Sequence, residues 1–214
     1  MSFFFELVSQ TDEARRDFET NPVVSESVAK GMSLERYRRL LLELYSIVWH
    51  FNPVSAAAAS RIDDKHKQVR YFLYEHMHEE SGHEDWVRAD LREVGVPAEQ
   101  VEAHKPSADT LALNGYNYWA AERKHPCSVL GMLYALEVIA SVYGGPFTAA
   151  IKEALFLQDE RGTSFIGSHA TLDAEHMAEL RNILETLEDE AAQEAIIESA
   201  CVNFKLITRI MEAV

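Results

Sequence analysis

The sequence predicts an all-α protein, a single domain of about seven to eight helices. Three observations predict it. Sustained period-2 alternation of apolar and polar residues is nearly absent, and the Asn114-Gly115 pair sits inside a helix-like stretch. Apolar residues instead recur at three- and four-residue spacing along most of the chain. The prolines, at 22, 53, 97, 106, 126 and 146, fall at the edges of these patterns.

Taken in order, Ser33 caps a helix to about Phe51, with Leu34, Tyr37, Leu40, Leu41, Leu44 and Val48 on one face. Asp63 or Asp64 caps a long helix that ends near Gly95, ahead of Pro97. A polar connection carrying Pro97 and Pro106 leads to a helix from about Asp109 to Lys124. Pro126 suits the first turn of a helix that stops at Gly144-Gly145, and Pro146 begins another to about Leu157. Helices near 164–187 and 189–213 complete the pattern. No linker, low-complexity tract or solenoid-length repeat divides residues 1–214, so they read as one domain.

With 214 residues, 47% of them hydrophobic and 26% charged, the chain can bury a sizeable core, which excludes global disorder. Twenty Lys plus Arg against 35 Asp plus Glu give a formal charge of −15. An acidic surface disfavours nucleic acid and anionic membranes as partners, because phosphate binding needs basic groups. Cys127 and Cys201 are the only cysteines, too few for a disulfide framework or a Cys-rich zinc site. The first residues lack a basic segment followed by a long apolar one, and no run of 18 apolar residues occurs. The expectation is a cytoplasmic protein without signal peptide or membrane span.

Polar residues interrupt three of the apolar stripes. On the helix from 63 the stripe runs Val69, Phe72, Leu73, then Val87, Leu91 and Val94, with His76, Glu80 and His83 in between. On the helix from 164 it runs Phe165, Ile166, Leu172, Leu180, Ile183 and Leu187, interrupted by His169, Asp173 and His176. On the helix from 126, Glu137 sits beside Leu136. Both triplets read His-x3-acid-x2-His. On a continuous helix, offsets of 0, 4 and 7 fall within a sector of roughly 60°, so each triplet points its donors at one spot.

Imidazole and carboxylate together suit iron, manganese or zinc, and burying them without a metal or full hydrogen bonding is costly. The embedded acid-x-x-His pairs, Glu80/His83 and Asp173/His176, match a di-metal carboxylate bundle, which adds single carboxylates from two further helices. Glu137 supplies one; Glu43, on the flank of the helix from 33, is a weaker candidate for the other. The bland rival is a buried His–acid hydrogen-bond network. His78 and Glu79 read as surface residues. His66, His104 and His125 lie near helix ends or in loops without partners at ligand spacing, and His50 reads as a core histidine. Cys127 reads as a small core residue at a helix start, where the thiol pKa is lowered.

On these residues the chain resembles the heme-oxygenase-like di-iron oxidases, the iron-containing redox enzymes, which share their fold with thiaminase II and pyrroloquinoline quinone synthase. The resemblance runs from Asn21-Pro22 through the last helix. SFIGSHATLDAEHMAEL places His169, Asp173 and His176 on the family's His-x3-Asp-x2-His signature. Glu137 in LYALEVIAS and His83 in EESGHEDW match the glutamate and the first histidine ligand. Where many members carry a glutamate seven residues before that histidine, this chain has His76. Other members use a glutamate three residues before it, here Glu80, which is the favoured sixth ligand, with His76 behind it or as an additional one.

The resemblance implies a heme-oxygenase-like helical bundle, two iron ions per chain (manganese being the alternative metal) and O2 as co-substrate. It implies oxidation of a small organic substrate of the amine, amino-acid or fatty-acid class, an external electron donor, and a homodimer. Two other readings belong to the same fold or chemistry. One is a metal-free enzyme of the thiaminase II or quinone-cofactor-synthase kind, supported by Cys127, Tyr134 and Glu137 in CSVLGMLYALE; the other is a ferritin-like metal-binding bundle. Heme oxygenase itself wants a histidine on the first helix, and residues 3–20 contain none.

Overall fold

A computed structural model describes residues 2–214, except for the side chains of residues 170–175. All regular structure among the described residues is helical. Three short helices lead: α1 (Phe3–Gln10), α2 (Asp12–Thr20) and α3 (Pro22–Lys30), the last capped by Asn21 Oδ1 on the Val23 and Val24 amides. They are followed by α4 (Leu34–Ala59), α5 (Lys67–Glu79), α6 (His83–Glu93), the short α7 (Ala98–Ala103) and α8 (Ala108–Arg123). The last four are α9 (Val129–Ile139), α10 (Gly145–Ala154), α11 (Ser164–Leu184) and α12 (Glu190–Ala213).

The segments outnumber the seven to eight expected, and three expected boundaries are corrected. The helix from Ser33 does not stop near Phe51 but runs through Pro53 to Ala59. Buried Val54, Ser55, Ala58 and Ala59 hold it in place, so packing outweighs the lost backbone donor. The helix from 63 is not continuous to Gly95. It divides into α5 and α6 at Ser81-Gly82, where Gly82 has a φ of +92° that breaks the helical ladder. The helix from Pro126 does not end at Gly144-Gly145 either. A π-turn, Ala140–Gly144, joins α9 to α10, and its wider register accommodates Pro146, which cannot donate to an α-helical ladder.

α9 forms the centre of the bundle. Leu130, Leu133 and Ala135 are completely buried, and Gly131 lets α12 approach so closely that a Cβ there would lie 2.2 Å from the Ile196 carbonyl oxygen. The helical stretch Pro126–Ala154 is long and apolar enough to cross a membrane by composition, but 67% of its apolar window is buried within this bundle, as befits a central core helix. α12, α11, α8 and α4 pack against α9, and α5 and α6 pack in turn on α4 and α11, so that the polar interruptions of α5, α6, α9 and α11 come together.

Candidate metal centre

The centre begins at the α5–α6 junction. Glu80 caps α5, its amide donating to the His76 carbonyl (2.9 Å), while Ser81 Oγ donates to the Met77 carbonyl (2.7 Å). Gly82 then turns the chain and α6 restarts at His83, whose Nδ1 stands 2.6 Å from Glu80 Oε2. From the opposite side α11 contributes His169 and His176. His169 Nδ1–H donates to the Phe165 carbonyl (2.8 Å), which leaves Nε2 facing inward, 3.2 Å from His83 Nδ1 and 3.7 Å from Glu80 Oε2.

The other Glu80 oxygen, Oε1, lies 3.8 Å from His176 Nδ1. Glu137 Oε1, from α9, lies 3.4 Å from the same His176 nitrogen and 3.8 Å from His76 Nε2. Thus His76, Glu80, His83, Glu137, His169 and His176 converge, as their places in the apolar stripes suggested; Asp173 lies outside the described residues. The expectation that the first triplet, His76, Glu80 and His83, addresses one spot is corrected. The donors of Glu80, His83 and His169 form one group within 4.8 Å, and those of His76, Glu80 and Glu137 form another. His76 and His83 therefore fall on different sides of Glu80, because the helix that would have stacked them is broken at Gly82.

Glu43 is not at the centre. Its carboxylate, buried on α4, accepts from the Ser107 amide (3.0 Å) and lies 3.2 Å from His104 Nε2, fastening the start of α8. Glu79 reaches the centre where sequence reasoning placed it at the surface. It is exposed, yet its Oε2 lies 3.7 Å from His176 Nε2 and 3.9 Å from His76 Nδ1. Its position three residues after His76, on the last turn of α5, was the available signal.

Burial would raise the Glu80 carboxyl, but hydrogen bonds from His169 and His83, and their charges, outweigh it and hold the group far below the usual carboxylate range. Burial lowers His76, against the opposing pull of Glu137 and Glu80. At neutral pH Glu80 is thus ionised and His76 neutral, the forms in which both bind metals. Among the described residues, both ring nitrogens of His76, which is 2% exposed, and Oε2 of Glu137 are buried without a hydrogen-bond partner. Buried polar atoms left this way are costly, and a cation among them would satisfy them. The donor set therefore fits a metal.

Asp90, on α6, holds the two halves together. Its Oδ1 accepts from the Gly162 amide (3.0 Å) and from the Ser164 amide and hydroxyl (3.0 and 2.7 Å), and its Oδ2 accepts from the Phe165 amide (2.8 Å). A buried carboxylate thereby caps the start of α11 and fixes it to α6, so that His83 and His169 meet. Asp90 follows His83 by seven residues and adjoins Leu91 of the apolar stripe, a signal that sequence reasoning passed over.

Beside the centre lies a cavity of about 200 Å³. Among the described residues, Glu80, Glu137 and His169 supply its polar lining with Tyr143, and the rest of the lining is apolar, with Leu44, Val48, Phe51, Phe147 and Ile207 among it. Neither Lys nor Arg lines it. Cys127 and Tyr134, the residues behind the metal-free reading, do not line it either. Cys127 is completely buried, and burial, followed by the charges of Asp189 and Asp63, pushes its thiol up to about 12 rather than down.

The helical bundle has a heme-oxygenase-like fold. The chain belongs to the iron-containing redox enzyme family, whose profile matches residues 38–206. A domain of unknown function with a heme oxygenase-like fold from Shewanella denitrificans OS217 superposes with a TM-score of 0.88 at 24% identity, over 98% of this chain and 90% of that one. A TenA homologue from Pseudomonas syringae pv. tomato gives 0.82 at 15%, over 98% and 91%. Heme oxygenase-2 from Synechocystis, solved with heme and NO, gives 0.79 at 18%, over 99% and 84%. At these identities the likeness shows the fold, and it fits TenA-like and heme-oxygenase-like proteins alike. Among curated proteins, none matches the chain in sequence.

Proposed function

We propose that this protein is an O2-dependent non-heme iron oxidase or oxygenase that holds two metal ions, iron or an iron/manganese pair, one on each side of Glu80. The observation that carries this reading is the Glu80 carboxylate, with one oxygen toward His83 and His169 and the other toward His176. Glu80, His83 and His169 would hold one ion. Glu80, His76, Glu137 and His176 would hold the other, and the resemblance adds Asp173. When bound, iron supplies the electrons and open coordination positions through which O2 is activated.

The chain's own residues supply the rest. Ionised Glu80 and Glu137 offset cationic charge in a buried setting. The Phe165 carbonyl fixes the tautomer of His169, and Asp90 fixes the distance between α6 and α11. The apolar wall of the cavity excludes water and holds a substrate against the carboxylate end. The cavity suits a small, largely apolar molecule with one polar end, an amine or a fatty acid. A cytoplasmic setting, expected from the sequence, and an external electron donor and a homodimer, implied by the family resemblance, complete the proposal.

The buried, high-pKa Cys127 disfavours a thiol nucleophile, and α1 and α2 offer no histidine for a heme. The test is O2 uptake by iron-loaded protein against a series of straight-chain amines and carboxylic acids. Uptake in proportion to one of them, lost in H83A and H169A, is expected. Uptake that never follows an organic substrate would leave a metal-binding bundle.

A further inference from the structure

A second group of metal-type donors lies at the opposite end of the same helices. His66 precedes His76 by ten residues along α5, and Cys127 precedes Glu137 by ten along α9, which separates the two groups by about 15 Å. Here three connections meet: the turn Asp64–His66 before α5, the segment His125–Ser128 before α9, and Asp189, the N-cap of α12. One ligand-type atom from each of His66, His125 and Cys127 lies within 4.8 Å of the others. Asp189 Oδ2 stands 3.2 Å from His66 Nε2 and 3.9 Å from His125 Nε2. We propose that His66, His125, Cys127 and Asp189 form a second metal site, of the four-coordinate zinc type.

The donor set is the argument. Two imidazoles, a carboxylate and a thiolate, its proton released to solvent as the ion binds, would make a closed tetrahedral shell for a borderline-soft divalent ion, whereas the sulfur-free His/carboxylate centre around Glu80 suits iron. His66 is 9% exposed, and its Nε2 is buried and makes no hydrogen bond despite the nearby Asp189 oxygen. Its other nitrogen, Nδ1, is 3.3 Å from Asp63 Oδ1, the carboxylate support that orients a ligating imidazole. Two groups hold the donors while no ion is bound. Lys65 Nζ lies 2.5 Å from Asp189 Oδ2, on an exposed stem free to swing away, and the Cys127 amide donates weakly to His125 Nδ1 (3.3 Å). An ion at this point would tie α5, α9 and α12 together without touching the cavity.

Cobalt(II) tests the site, because thiolate ligation gives it a charge-transfer band in the near ultraviolet and tetrahedral geometry gives it intense visible bands. The full chain carrying H76A, H83A and H176A, which disarm the centre around Glu80, is titrated with cobalt(II) alone and then with zinc. One cobalt per chain, a thiolate band and its displacement by zinc are expected. C127S should remove the band, and H66N should weaken binding at least tenfold. The wild-type chain should show the same band, so the test survives if the triple variant does not fold. A cobalt spectrum without a thiolate band, or one that C127S leaves unchanged, would overturn the proposal and leave a hydrogen-bonded cluster. Neither outcome bears on the iron centre.

Discussion

Glu80 Oε2 lies 2.6 Å from His83 Nδ1 across a break in the helix, while Glu80 Oε1 points the other way, 3.8 Å from His176 Nδ1. A continuous helix would have placed Glu80 between two stacked histidines of one triplet. The break at Gly82 makes it the carboxylate common to two sides.

If Glu80 serves both sides, E80Q keeps its shape and removes its charge, and both ions should bind at least about tenfold more weakly. Anaerobic iron(II) binding curves check this. A loss confined to one ion would mean that Glu80 is not shared.

His76 and His83 belong to different donor groups. H76A and H83A should each leave about one iron per chain, and the double variant none. Metal analysis after gel filtration distinguishes this from a centre in which either variant empties both positions.

His76 also carries a cost to stability. Its pKa is lowered by burial, so the folded state holds it neutral while the unfolded chain protonates it near 6.5. The metal-free protein therefore keeps its full stability above about pH 6.5 and loses part of it as pH falls toward the lowered folded value. H76L should make the metal-free protein more stable by roughly 1–3 kcal/mol and flatten the loss between pH 7 and 5.5. Urea unfolding at the two pH values measures both effects.

Asp90 accepts hydrogen bonds from the Gly162, Ser164 and Phe165 amides and from the Ser164 hydroxyl. D90N removes the charge and presents an amide donor to amide donors. A destabilisation of about 3 kcal/mol is expected, seen as a lower thermal midpoint. Iron stoichiometry in the cold should be preserved, which separates positioning from ligation.

Much of this centre was legible in the sequence because burial leaves a mark: a histidine or acid where the apolar stripe requires leucine. That mark found six donors that converge, from α5, α6, α9 and α11. The geometry was less legible. Gly82 lies within a pattern that is periodic on both sides, so 63–95 read as one helix, and the stacking argument grouped residues that do converge, but on a wrong backbone. Glu43 carries the same mark but answers the Ser107 amide, since burial alone does not say which partner satisfies an acid. Gly144-Gly145-Pro146 reads as a stop, yet a π-turn carries the helix through it. His66, His125 and Cys127 were read singly, because they are brought together by tertiary packing that no local spacing records.

The most direct test of the account is the number of irons that the metal-free chain takes up under anaerobic conditions. Two sets of donors around one carboxylate predict about two iron(II) per chain, falling to about one in H83A. No uptake at all would contradict it, and His76, Glu80, His83, Glu137, His169 and His176 would then be a buried hydrogen-bond network.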